Sequence, residues 1–223
     1  MSAEKGKRIV LRGLVPGSGT LKTIDKTTAA GERIYLLSPA DAGGKRAATL
    51  FNSNAKFELA QRLRTTGVQI VEMYSFMSPL YFRGKLTYAT KFANAPSGTP
   101  GSLVITPSRG LMRPESIVRL GDVSQLQNER LVAENPRYRD ALERDLRTLS
   151  ESVGPSAQFV LLGSIATRKY IPLLAEVLGD RLVVPRRFVG LGNMSRGALL
   201  LQCSREGCEL EYISASQALA GAI

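Results

Sequence analysis

RIYLLSPA (residues 33–40) is the stretch on which the fold turns. Ile34 to Leu37 is an unbroken apolar run, and Ser38-Pro39-Ala40 closes it with a small polar elbow. A strand without polar alternation is buried on both faces, as in parallel sheets covered by helices. SLVITPSRG (102–110) and AQFVLLGS (157–164) repeat the pattern, and VQIVEMYS (68–75) reads as a further strand of the same kind. Between them lie segments of helical spacing. Lys45 to Thr65 carries Ala48, Leu50, Phe51, Ala55, Leu59, Ala60 and Leu63, with Gly67 as a stop. Further helices are predicted over 79–93, over 136–152 with Leu142, Leu146 and Leu149 on one face, and over 169–178.

This alternation predicts an α/β fold: a mainly parallel mixed sheet with helices on both faces and antiparallel strands at the ends. RLVVPRRF (181–188) and GALLLQCS (197–204) read as closing strands, with ELEYI (209–213) pairing as a hairpin. Residues 1–32 read as an N-terminal extension, with a strand at RIVLRGL (8–14) and a turn at PGSG (16–19), and 33–223 as one domain.

Charge is the strongest compositional signal. Thirty Lys and Arg against nineteen Asp and Glu give a net +11, a field that concentrates polyanions at the surface. The excess is uneven: residues 1–96 hold 15 basic and 6 acidic side chains, whereas 97–223 hold 15 and 13. That asymmetry predicts a basic face and DNA or RNA as the partner.

Absences narrow the chemistry. With no His there is no His-based triad and no imidazole ligand. The two thiols, Cys203 and Cys208 in CSREGC, read as incidental residues flanking a turn, so neither a metal site nor a cofactor is expected. No apolar run reaches membrane-spanning length and the first residues lack a signal-peptide core, which predicts a cytoplasmic protein with no membrane partner. GLVPGSGTLK (13–22) lacks the GK[ST] ending of a phosphate loop.

Ligands of open α/β sheets bind beyond the carboxyl ends of the strands. Four expected strands end in small polar residues: Ser38-Pro39-Ala40, Tyr74-Ser75, Thr106-Pro107-Ser108-Arg109 and Gly163-Ser164. Cations follow each one: Lys45 and Arg46, Arg83 and Lys85, Arg113, and Arg168 and Lys169. Hydroxyls, backbone N–H groups and cations at helix starts make an anion-binding edge. GLGNMSRG (190–197) adds a glycine-spaced loop between two strands, with Arg196 over it. In SPLYFRGKLTYATKFA (78–93), Tyr81 close to Arg83 offers a surface on which a base stacks. Three residues are candidates for acid, base or amine chemistry: Glu72 late in an expected strand, Asp41 after the first elbow, and Lys45. Lys85 is a second candidate for a Schiff-base amine.

Two of these elbows lie in segments similar to a known family. LLSPADAGGKRA (36–47) and ITPSRGLMRPESIVRLG (105–121) resemble the peroxide-stress protein YaaA family, whose first strand ends Ser-Pro-Ala before a Lys and which carries a later Gly-x-Leu-Arg-Pro segment. The resemblance implies a mixed α/β fold with a positively charged cleft that binds DNA, linked to protection from oxidative damage. By position it implies that Ser38, Pro39, Lys45, Arg109, Gly110, Arg113 and Pro114 line that cleft. The leading expectation is therefore DNA binding through a basic cleft. Two alternatives accompany it: a glycosylase- or lyase-like enzyme acting on the glycosidic bond of a nucleobase, and a sensor of a free nucleotide or base.

Overall fold

The computed structural model describes residues 31–123, 131, 134–165 and 169–220. The expected strand and turn of the N-terminal extension lie outside them, as does Arg168.

In chain order the elements are β1 (Arg33–Leu37), α1 (Lys45–Phe51), α2 (Glu58–Arg64), β2 (Val68–Gln69), α3 (Ile70–Met77), α4 (Tyr81–Phe92), β3 (Ser102–Thr106), β4 (Gly110–Met112), β5 (Ile117–Val118), α5 (Pro136–Ser152), β6 (Gln158–Leu162), α6 (Ile171–Leu178), β7 (Leu182–Pro185), α7 (Asn193–Glu206), β8 (Tyr212–Ser214) and α8 (Ala215–Ala220). Six strands form one sheet in the order β4-β3-β1-β6-β7-β8, and β2 pairs with β5 apart from it. The inner four, β3, β1, β6 and β7, are parallel, while β4 and β8 run antiparallel at the two edges. Ile34, Tyr35, Leu36 and Leu37 of β1 are all fully buried, as are Phe159 to Leu162 of β6, so both faces of the sheet are covered. This is the mixed α/β architecture that the apolar runs predict.

Three expectations are corrected. The expected strand 68–75 is a strand only at Val68 and Gln69; from Ile70 it is helix α3. Its buried residues Ile70, Val71, Met73, Tyr74 and Met77 fall at helical spacing, so the apolar face suits a helix packed on one side. Tyr74-Ser75 is therefore no strand end. GALLLQCS belongs to α7, whose buried Leu199, Leu200 and Cys203 lie on one stripe and whose end is set by Gly207 in the left-handed conformation (φ 70°). The last sheet strand is instead β8, paired with β7. Lys45 to Thr65 is broken into α1 and α2, with Asn52 Oδ1 accepting from Asn54 N in the turn between them.

Helices α4 and α7 cross with almost no space between their backbones. A Cβ at Gly84 would come within 2.8 Å of the Gly197 carbonyl oxygen, and a Cβ at Gly197 within 2.8 Å of Tyr81 Cα. At the seam of β1 and β6 the Ser38 N–H donates to the Leu162 carbonyl (3.2 Å), and a Cβ at Gly163 would lie 3.2 Å from Ser38 Cβ. Elsewhere, Tyr35, Tyr88 and Tyr212 bring three phenols together: Tyr212 Oη lies 2.9 Å from Tyr35 Oη and 2.8 Å from Tyr88 Oη, and Tyr35 and Tyr212 both donate to Glu209. That network ties β1, α4 and β8 to one another.

Candidate functional site

A chain that runs from β1 to β3 on one side and later to β6 on the other leaves a crevice between the carboxyl ends of β1 and β6, the topological switch point of the sheet. A cavity of about 870 Å³ lies there. The ends of three parallel strands supply Ser38, Pro107 and Ser164; α3 supplies Met73, Tyr74 and Met77, and α4 supplies Tyr81 and Lys85. Asp41 and Gly43-Gly44 from the β1–α1 loop complete the wall, with Lys169 and Tyr170 before α6 and Asn193 at the start of α7.

Lys85 is in the wall because of its place on α4. Tyr81, Phe82, Gly84, Lys85, Tyr88 and Ala89 form the buried stripe of that helix, at the spacing of its inward face. The side chain is 1% exposed. Its Nζ donates to the Ser38 carbonyl oxygen and, at 2.9 Å, to Ser38 Oγ. The rings of Tyr81 and Phe82 lie 4.5 and 4.9 Å from Nζ. Among the described residues no carboxylate pairs with this amine. Burial therefore holds its pKa well below the usual lysine range.

The phenols respond to the same desolvation. Burial raises the pKa of Tyr74, Tyr81 and Tyr170; hydrogen bonding with the Ser38 side chain tempers the rise at Tyr170, and the nearby Arg196 guanidinium tempers it at Tyr81. Arg196 is itself buried, and its donors are committed to backbone: Nε and Nη2 donate to the Phe188 carbonyl at 3.2 and 2.9 Å, and Nη1 to the Gly163 carbonyl at 3.5 Å. The Arg196 guanidinium is the polar group that faces Tyr81 Oη, and the phenol proton has no acceptor among the described residues, although the side chain is 8% exposed. Helices α6 and α7 start beside the cavity with no side-chain cap, so their first N–H groups give this end of the sheet a positive field.

The predicted residues divide. Ser38, Asp41, Tyr81, Lys85, Ser164 and Lys169 meet in the cavity wall. Lys45 and Arg46 are exposed at the start of α1, directly after the lining Gly43-Gly44, and Arg46 lies over the Phe76 ring (6.0 Å). Others serve elsewhere. Glu72, expected in a strand, stands in the first turn of α3, where Arg62 Nη1 and Nη2 donate to its two oxygens at 2.8 and 2.9 Å. Ser75 is on α3 outside the lining, and Arg83 faces outward on α4. Arg109 is ion-paired with Asp122 (2.5 Å), Arg113 is exposed 3.8 Å from Glu115, and Ser108 has a buried Oγ with no partner among the described residues. Arg196 holds backbone rather than a glycine-spaced loop, because that segment opens α7. Among the described residues the cations of the wall are Lys85 and Lys169, so the expected row of cations converging on one rim is not what lines the cavity.

Sequence reasoning missed Tyr74 as a wall residue, along with Met73, Met77, Tyr170 and Asn193. The signal for the α3 group was the helical spacing of its apolar residues; for Tyr170 and Asn193 it was their position one residue ahead of, and at the start of, a helix. Comparison of the chain with protein-family models, curated proteins and solved structures finds no match. The site therefore speaks through its own geometry. Among the described residues no helix is long and apolar enough to cross a membrane.

Proposed function

We propose that the protein binds nucleic acid and admits one nucleotide of the bound strand into the switch-point cavity. The observation that carries this reading is the cavity itself: about 870 Å³, within the range of pockets that enclose small ligands, and walled by Tyr74, Tyr81 and Tyr170. Aromatic side chains give a base a stacking surface regardless of its identity. Lys169 stands at the wall and Lys45 and Arg46 follow its glycine pair, which suits phosphates flanking the admitted nucleotide. The net charge of +11 supports a polyanionic partner, as does the resemblance to the peroxide-stress family through Ser38-Pro39 and Lys45.

Fluorescence anisotropy with a single-stranded and a duplex oligonucleotide, repeated across a salt series, tests it. Affinity falls linearly with the logarithm of salt concentration if phosphates are contacted, and Lys169→Gln lowers that slope by about 0.7–0.9 for each phosphate the side chain had neutralised. Binding that ignores salt, or that is matched by a free nucleotide at equal affinity, rejects the strand reading. In the second case the free-nucleotide sensor takes its place.

Asp41 favours a second reading. It is the carboxylate of the described lining, with Oδ1 accepting from Gly43 N (3.0 Å), and a carboxylate beside an admitted base suits hydrolysis of a glycosidic bond. Release of free base from damaged DNA by wild type and not by Asp41→Asn is the outcome this reading requires.

A further inference from the structure

The contact between Ser38 and Lys85 goes beyond recognition. An amine this deep, with no carboxylate partner, is a poor structural choice, since Met or Leu would fill the same stripe without a polar group to desolvate. Among the described residues its polar contacts are both to Ser38, to the carbonyl oxygen and to the hydroxyl. A neutral amine has two N–H groups and one lone pair. With one N–H committed to the Ser38 carbonyl, the second N–H and the lone pair share the remaining directions, one of which faces Oγ 2.9 Å away. When the lone pair takes that direction, the hydroxyl is the donor and the amine the acceptor. Ser38 follows the last residue of β1 and, 4% exposed, stands in the cavity wall. A second observation points to a ligand: Tyr81 Oη, more than nine-tenths buried in the same wall, has no acceptor among the described residues.

We propose that Ser38 is a nucleophile, that Lys85 is its general base, and that the cavity hydrolyses a small ester or amide through an acyl group held on Ser38. Oγ attacks the carbonyl carbon while its proton passes to Nζ, and the carbonyl oxygen takes up the electron pair as an oxyanion that Tyr81 Oη is free to hydrogen-bond. Collapse re-forms the C=O bond and expels the alcohol or amine, which leaves with the proton from Nζ. Water then attacks the Ser38 ester with Lys85 again taking and returning the proton, releasing the carboxylic acid and restoring the hydroxyl. Carbon rather than phosphorus is the fitting electrophile, because a phosphodiester brings charge that needs several cations, and Lys169 is the remaining cation of the described wall. This proposal does not depend on nucleic-acid binding, and an ester carried on the sugar of a nucleotide satisfies both readings.

The test is covalent capture by a small alkyl fluorophosphonate, followed by intact mass and peptide mapping. Attack by Oγ forms an O–P bond and expels fluoride, so one adduct on Ser38 is expected, forming at least 100-fold more slowly in Lys85→Met. A wild-type rate profile needs no variant to fold: with the amine held below the usual lysine range, the rate is already level where an ordinary lysine titrates, around pH 10.4. The titratable groups sharing the wall are the phenols of Tyr74, Tyr81 and Tyr170, Lys169 and the Asp41 carboxylate, with Arg196 beside Tyr81. Absence of a Ser38 adduct, an unchanged rate in folded Lys85→Met, or a tenfold climb per pH unit up to about 10.4 overturns the proposal. Oligonucleotide binding by Ser38→Ala is read separately, so loss of labelling chemistry and loss of strand binding are distinguishable.

Discussion

Lys85 brings to the interior an amine that nothing of opposite charge accompanies among the described residues, and stability must register this. The unfolded lysine titrates near 10.4, the folded one lower. Between those two values the unfolded chain binds the extra proton, so stability rises with pH, by up to about 1.4 kcal/mol per unit, and levels off above about 10.4. Urea midpoints from pH 7 to 9.5 for wild type and Lys85→Met check this, and the difference between the two proteins isolates the lysine from the thiols. A difference that stays constant across the range contradicts an amine held neutral. Glu72 gives the opposite case. Its bidentate pair with Arg62 is more than a third exposed on both sides, so Glu72→Gln should change stability by no more than about 1 kcal/mol and leave oligonucleotide affinity unaltered. At this scale the sequence announced Ser38, Lys85 and Tyr81 because small polar residues after an apolar run and a cation beside aromatics are visible in one dimension. The meeting of Ser38 with Lys85 across 47 positions was not. Nor was the fate of Arg109, whose partner Asp122 stands thirteen positions on.

Among the elements, α4 and α7 cross at Gly84 and Gly197, and both reach the cavity wall, α4 with Tyr81 and Lys85 and α7 with Asn193. Gly84→Ala or Gly197→Ala forces a methyl group into the opposing backbone and should lower stability by about 1–3 kcal/mol, measured by chemical denaturation, with loss of ligand binding. Alanine is the better helix former, so a gain in stability from either substitution contradicts the close approach. The parallel strands β1, β3 and β6 were legible because unbroken apolar runs of that length suit little else. α3 and α7 were not: each carries a brief apolar run, Ile70-Val71 in one and Ala198 to Leu201 in the other, and strand and helix differ only in whether buried positions recur every second or every third and fourth residue. Met73, Tyr74 and Met77 carried the helical period, and Gly207 carried the stop.

Taken as a whole, the molecule places its cavity where an open sheet reverses its strand order, and the class of fold, though not the detailed wall, followed from alternation alone. The net charge of +11 acts at the same scale: raising salt from 50 to 200 mM should weaken oligonucleotide binding by an order of magnitude or more if several phosphates are contacted, read as a shift in anisotropy midpoint. The glycine pair of the α4–α7 crossing has one more consequence. Two backbones already in van der Waals contact have nowhere closer to go, and their interlocked ridges resist sliding. That side of the cavity is its fixed jamb.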